Sequence, residues 1–218
     1  MEEIKIIEKP DWISWDDIHE VLYAAHKKNI EKGIVMNYAL FSGEKIKKKL
    51  GDEGVCWVAL CGDKVVGTNS VTFFQGNSWW NKGKKVAHGC FTGILKEYQG
   101  IGIMEEFNKK YRELILKKGV DISEGETAED NRIMRKVLEK TGHKTVSFYA
   151  PPSNHYNVRV VKWLNGCPFS DKYIERRFKL AKFLTKLQYK PGKVKRNRLL
   201  SYLCAKIKLL LNIKQTSF

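Results

Sequence analysis

A chain of 218 residues with 43% apolar and 29% charged side chains can bury one good core, and its composition is that of an ordinary globular protein. Five cysteines (Cys56, Cys61, Cys90, Cys167, Cys204), odd in number and without a CxxC pair, argue against a disulfide framework or a metal site and for a reducing, cytoplasmic compartment. The formal charge of +16 is local: from Asp171 to Phe218 fourteen Lys or Arg stand against Asp171 and Glu175, which argues against a nucleic-acid binder that is basic throughout. With no charged-then-apolar leader, and no apolar run near the ~20 residues a bilayer demands, the chain is expected to be neither secreted nor membrane-spanning.

Along the chain, Ser14 and Asp17 have the spacing of a capping box, with Asp in place of Glu. They precede a predicted helix from Trp15 to about Lys32, in which Ile18, Leu22 and Ala25 share a face. A second helix is predicted from the cap Ser42 through Ile46 and Leu50 to Gly51. Val55–Leu60 and Lys64–Phe74 are rich in strand formers and flank Gly62-Asp63, the pattern of a hairpin. A polar connection, residues 75–85, carries Trp79-Trp80, which looks exposed from the sequence; the pair could line an acceptor pocket or bury a hairpin.

Val86–Leu95 (VAHGCFTGIL) has no charged side chain and suits a buried strand, while Ile103, Phe107, Tyr111, Leu114 and Ile115 recur at helical spacing. Between them lies Lys96-Glu97-Tyr98-Gln99-Gly100-Ile101-Gly102. Two glycines ahead of a helix leave the first-turn N–H groups and the positive end of the helix dipole open to an anion, and a pyrophosphate suits that geometry. Gly119 ends this helix. A strand Val120–Thr127 then leads to Glu129-Asp130-Asn131 and a helix containing Ile133, Met134, Val137 and Leu138, closed by Thr141-Gly142. Two last strands, Lys144–Ala150 and Tyr156–Leu164, flank Pro151-Pro152. Alternating strands and helices with hairpins imply a mixed α/β sheet.

The hairpin VCWVALCGDKVVGTNSV, the junction GILKEYQGIGI and the segment TAEDNRIMRKVLEKTGH together resemble the GNAT superfamily of acyl-CoA N-acyltransferases over about Val55–Leu164. The resemblance implies a GNAT-like fold with acetyl-CoA as co-substrate. It implies that Gln99, Gly100, Ile101, Gly102, Ile103 and Met104 hold the diphosphate, with Met104 where the family has a small residue. It further implies that main-chain groups near Ile94 and Leu95 pair with pantetheine and that Asn131 hydrogen-bonds the same arm, although Asn131 could simply cap its helix. Gly142-His143 replaces the family's Gly-Phe, and Leu138 stands where many members carry an acidic tyrosine.

Acetyl transfer to an amine wants a base and, often, an acid for the thiolate. Glu124 and Glu126, two apart on one strand face, and His88 on the strand 86–95 are the candidate bases, each weighed against a surface or core role. Tyr149 is the candidate acid, with His155 and Tyr156 behind it; Cys90 reads as a small core residue.

The expectation is therefore an acetyltransferase domain over 1–168 and a basic, helical C-terminal extension over 169–218. Leu199, Leu203, Ile207 and Leu210 beside Lys206 and Lys208 suit partner docking or peripheral contact with an anionic membrane face, and nucleic acid less well. The expected reaction moves acetyl from acetyl-CoA to a small primary amine, with an amino sugar of surface polysaccharide assembly as first choice. An acyl-CoA sensor and a peptide or protein acetyltransferase are the alternatives.

Overall fold

Residues 3–31, 37–150, 156–189 and Ile207 are described by a computed structural model. The chain divides into two units, Met1–Phe74 with Ala87–Val120 and Gln75–Val86 with Asp121–Phe218.

In the first unit the strand order is β1 (Ile4–Glu8), β2 (Val55–Cys61), β3 (Lys64–Gln75), β4 (Lys85–Ile94). β1 is a finding, absent from the sequence reading: it runs antiparallel to β2 from Ile4↔Cys61 to Glu8↔Trp57, and its short alternation is masked in the sequence by Ile7, apolar but exposed. The hairpin β2–β3 closes at Cys61↔Lys64, leaving Gly62-Asp63 as its two-residue loop, as expected.

The helix α1 (Trp15–Glu31) begins with the reciprocal cap that Ser14 and Asp17 promised: each accepts from the other's main-chain N–H, at 2.7 and 3.0 Å. α2 (Gly43–Leu50) is capped by Ser42, whose side chain accepts from Lys45 N–H, and stops at Gly51. Ile18 and Leu22 of α1 and Ile46 and Leu50 of α2 bury against Cys56, Val58 and Leu60, which lie two apart on β2 and so share one face.

Contact with β4 is closer still. A Cβ on Gly93 would lie 3.1 Å from Ala25 Cβ, tighter than ordinary contact, so a side chain there would press the helix away by a few tenths of an ångström. One residue earlier, His26 Nε2 donates to the Thr92 carbonyl at 2.9 Å; burial pulls this imidazole's pKa down, against the opposing effect of that bond. Phe91 takes a left-handed φ of 47°, which costs a bulky residue roughly 1–3 kcal/mol, and burial of its ring in the core offsets that strain. α3 (Ile103–Lys117) buries Ile103, Phe107 and Ile115, completing the unit.

The second unit carries β5 (Ile122–Ala128), α4 (Arg132–Lys140), β6 (Lys144–Tyr149), β7 (Asn157–Trp163) and α5 (Asp171–Gln188). Its strand order is β5-β7-β6, each pair antiparallel, with Glu126 opposite Arg159 and Tyr149 opposite Asn157. Phe148, Val158, Val160 and Ala181 form its core, with Leu138, Tyr156, Phe178, Leu180 and Trp79 packed around them. α5 starts at the cap Ser170 and is pinned by Thr185, whose hydroxyl donates to the Phe148 carbonyl at 3.1 Å. Pro151-Pro152, His155 and, Ile207 apart, the basic stretch beyond residue 189 lie outside the described residues. No helix among the described residues is long and apolar enough to cross a membrane.

Candidate functional site

Where β4 ends, Leu95 N–H donates to Val66 O at 2.9 Å, and one tight turn over Lys96–Tyr98 carries the chain away from the strand. Gln99 folds back, its Nε2 donating to the Ile94 carbonyl at 3.0 Å. That carbonyl keeps a second lone pair for another donor. Gly100 and Gly102 then adopt φ of 83° and 91°, a region side chains disfavour, and a Cβ at either position would meet nothing within 4 Å.

Gly102 is the N-cap of α3 and has no side chain to offer the first turn; the ladder begins with Glu106 N–H to Gly102 O at 3.2 Å. The amides of Ile103, Met104 and Glu105 therefore precede the ladder at the positive end of a 15-residue helix, beside open space. Glu105 and Glu106, both exposed, put negative charge in the same turn, so an anion must be held by main-chain groups against their repulsion.

Asn131 caps α4, its Oδ1 accepting from Met134 N–H at 3.1 Å, so a further ligand would meet Nδ2. Leu138 is a packing residue beside the core of the second unit. His143, on the turn after α4, has its pKa lowered by burial and then by the charge of Lys162.

The antiparallel register brings together what the sequence spread over 80 residues. Glu124 and Glu126 project from one face of β5, and Arg159, directly across from Glu126, reaches both: Nη1 to Glu124 Oε1 at 2.8 Å and Nη2 to Glu126 Oε2 at 3.0 Å. Glu124 is 2% exposed, and its Oε2 also accepts from Trp80 Nε1 at 3.0 Å and Asn81 Nδ2 at 3.3 Å. Glu126 is different: its side chain is 29% exposed, and it accepts a hydrogen bond from the Tyr149 hydroxyl. Burial would lower the Arg159 pKa, but Glu124 and Glu126 overcome it and raise the value. Burial first, and the Glu126 charge next, push the Tyr149 phenol well above its usual range.

Two expectations change here. The Trp79-Trp80 pair does not sit out in solvent: Trp80 is 2% exposed because its indole N–H serves buried Glu124, and half-buried Trp79 packs edge-on against Phe169 and Tyr173. Arg159 and Asn81 were not anticipated at all. The signal for Arg159 was present, a lone cation inside the β-branched run NVRVV, since a charge in a buried strand requires a partner. Of the other candidates, His88 lies in the first unit at 5% exposure, and the Tyr156 hydroxyl donates to the Tyr189 carbonyl at 2.6 Å.

The acetyltransferase (GNAT) family model matches residues 15–143. Among solved structures, the chain is similar to PH1933 from Pyrococcus horikoshii at 25% identity, covering 75% of this chain and 100% of that one with a TM-score of 0.54. It is similar in fold to a GNAT-family acetyltransferase from Staphylococcus aureus at 16% identity (74% and 99% covered, TM-score 0.56). The same holds for a PaiA N-acetyltransferase from Thermoplasma acidophilum, solved in complex with coenzyme A, at 15% identity (74% and 99% covered, TM-score 0.54). A search of curated proteins finds no match.

Proposed function

This chain belongs to the GNAT acetyltransferase family and is an acetyl-CoA-dependent acetyltransferase, and on that premise we propose that it transfers acetyl directly to a primary amine. The observation that carries the reading is the bend at Gly100 and Gly102, open on its outer side and aimed at the first-turn amides of α3. In this reading those amides hold the cofactor's diphosphate, main-chain groups near Ile94 and Leu95 pair with pantetheine, and Asn131 Nδ2 adds a contact to the same arm.

The amine's lone pair attacks the thioester carbonyl, a C–N bond forms, the C–S bond breaks, the thiolate leaves, and the nitrogen, now carrying one proton too many for an amide, releases it to water. Before attack the acceptor ammonium must lose a proton. Glu126 is the candidate that solvent reaches, so it binds the ammonium and passes the proton to water. Glu124, whose two oxygens already accept three hydrogen bonds, holds Arg159 and through it fixes Glu126. Tyr149 is a fixed hydrogen-bond donor in this scheme. Its hydroxyl proton is committed to Glu126, so the thiolate takes one from water.

An amino sugar is the acceptor we favour, because Trp79, Phe169 and Tyr173 form an aromatic cluster on which a sugar ring can stack. Such intermediates collect at the cytoplasmic membrane face, and the basic C-terminal extension is the segment that takes the enzyme there.

Thiol release from acetyl-CoA in the presence of amino sugars, simple amines and peptides tests this. Turnover with amino sugars is expected, and E126Q should lower kcat at saturating acetyl-CoA by about a hundredfold with CoA affinity unchanged. Turnover of peptides alone would assign a protein modifier; tight CoA binding with no turnover would assign a sensor.

A further inference from the structure

α5 is amphipathic in an unusual sense. Ile174, Ala181, Leu184 and Thr185 bury one side of it, which is what the core of the second unit demands. The opposite side carries Lys172, Arg176, Lys179, Phe183 and Leu187, all exposed. Phe183 is 60% exposed and Leu187 44%. Single exposed apolar residues are ordinary. Two of them one turn apart, among three cations on one helix face, form a patch in which apolar surface is ringed by positive charge. The one carboxylate on this side, Glu175, is engaged by Lys179 at 2.7 Å, so the net charge of the patch is that of Lys172 and Arg176.

The chemistry of the patch limits what can cover it. From residue 190 to the end, the sequence holds eight Lys or Arg and no Asp or Glu, so like charge disfavours that segment as the occupant. A second copy of α5 would meet the same repulsion. The occupant is therefore polyanionic. Nucleic acid would be bound through phosphates and aromatic stacking, and aliphatic side chains add nothing to either. An anionic lipid surface uses both halves of the pattern, cations at the headgroups and Phe and Leu below them. The same pairing continues in the sequence, where residues 190–218 also carry eight Leu or Ile.

We propose that the outer face of α5 lies flat on an anionic membrane, with Phe183 and Leu187 entering the headgroup boundary and Lys172, Arg176 and Lys179 over the lipid phosphates. The proposal rests on the reading of the basic extension as membrane-seeking and narrows it to named residues of a folded helix. It is independent of the acetyl-transfer chemistry.

Flotation of the full chain with phosphatidylcholine vesicles, with and without phosphatidylserine, tests it. Binding is expected only with phosphatidylserine and should weaken as salt rises. Phe183→Ser with Leu187→Ser should lower the partition constant at least tenfold while leaving its salt dependence in place. Lys172→Gln with Arg176→Gln should lower it roughly twenty-five-fold, since each basic residue near an anionic surface is worth about fivefold, and should flatten the salt dependence. These side chains are exposed, so unfolding temperature and transfer to a soluble amine should not change, and both are measured alongside. Wild-type partitioning by the Phe183/Leu187 variant overturns the placement of α5. If removal of residues 193–218 then abolishes binding, the extension still seeks membranes and only the role of α5 fails. An intact chain that binds duplex DNA or RNA but no vesicle overturns both.

Discussion

The bend at Gln99–Met104 in the first unit offers an anion main-chain amides, whereas the face of β5, β7 and β6 in the second unit offers side chains that hold one another. The first depends on the absence of side chains: two glycines, left-handed, with space beside them. The second depends on a chain of partners, Trp80 and Asn81 to Glu124, Glu124 to Arg159, Arg159 to Glu126, Glu126 to Tyr149. A cofactor common to a whole family can be held by backbone, which any sequence supplies. Orienting a proton acceptor takes charge, and charge inside a protein is stable only when paired.

That contrast predicts that damage to the cluster appears in stability and damage to the bend appears in binding. Arg159→Met should cost about 3–5 kcal/mol in denaturant unfolding, because it leaves Glu124 buried without its cation. A loss below about 1 kcal/mol would mean that the pairing is not what keeps the carboxylate tolerable. Gly102→Glu should lower CoA affinity at least a hundredfold by calorimetry, about 2.7 kcal/mol, while its left-handed φ of 91° costs about 1–3 kcal/mol in unfolding. Gly102→Asn sharpens the point, since asparagine tolerates the left-handed backbone. It should keep most of the affinity, and an equal loss would assign the effect to strain instead of charge.

A smaller effect is expected at high pH. The folded state holds the Tyr149 proton more tightly than the unfolded chain does, so the stability this gives is complete below pH 10.0, the ordinary value, and is lost as pH rises beyond it. The slope is at most about 1.4 kcal/mol per pH unit. Tyr149→Phe should remove that component, so its stability should fall less steeply than the wild type's above pH 10.0. Parallel curves would mean that the phenol is not bound as described.

Legibility follows the same division. The caps Ser14 and Ser42, the stop at Gly51, the hairpin at Gly62-Asp63 and the glycine bend were all readable, because each is a local rule about a few consecutive residues. β1 escaped because its alternation is only four residues long and is masked in the sequence by Ile7, an apolar residue on the exposed side. Trp80 was misjudged because its polar neighbours suggest solvent, while its indole partner lies 44 residues away. Glu124 and Glu126 were correctly placed on one face, but nothing two residues apart could say that one is sealed by Arg159 and the other half open.

By itself the sequence determined the order of elements from α1 onward, the family and the glycine bend, since turns, caps and periodicity act between neighbours in the chain. Only the tertiary structure decided which carboxylate meets solvent, which tryptophan is buried and which side of α5 faces out. Burial and pairing are properties of residues brought together from distant parts of the chain, and they exist only once the strands are in register.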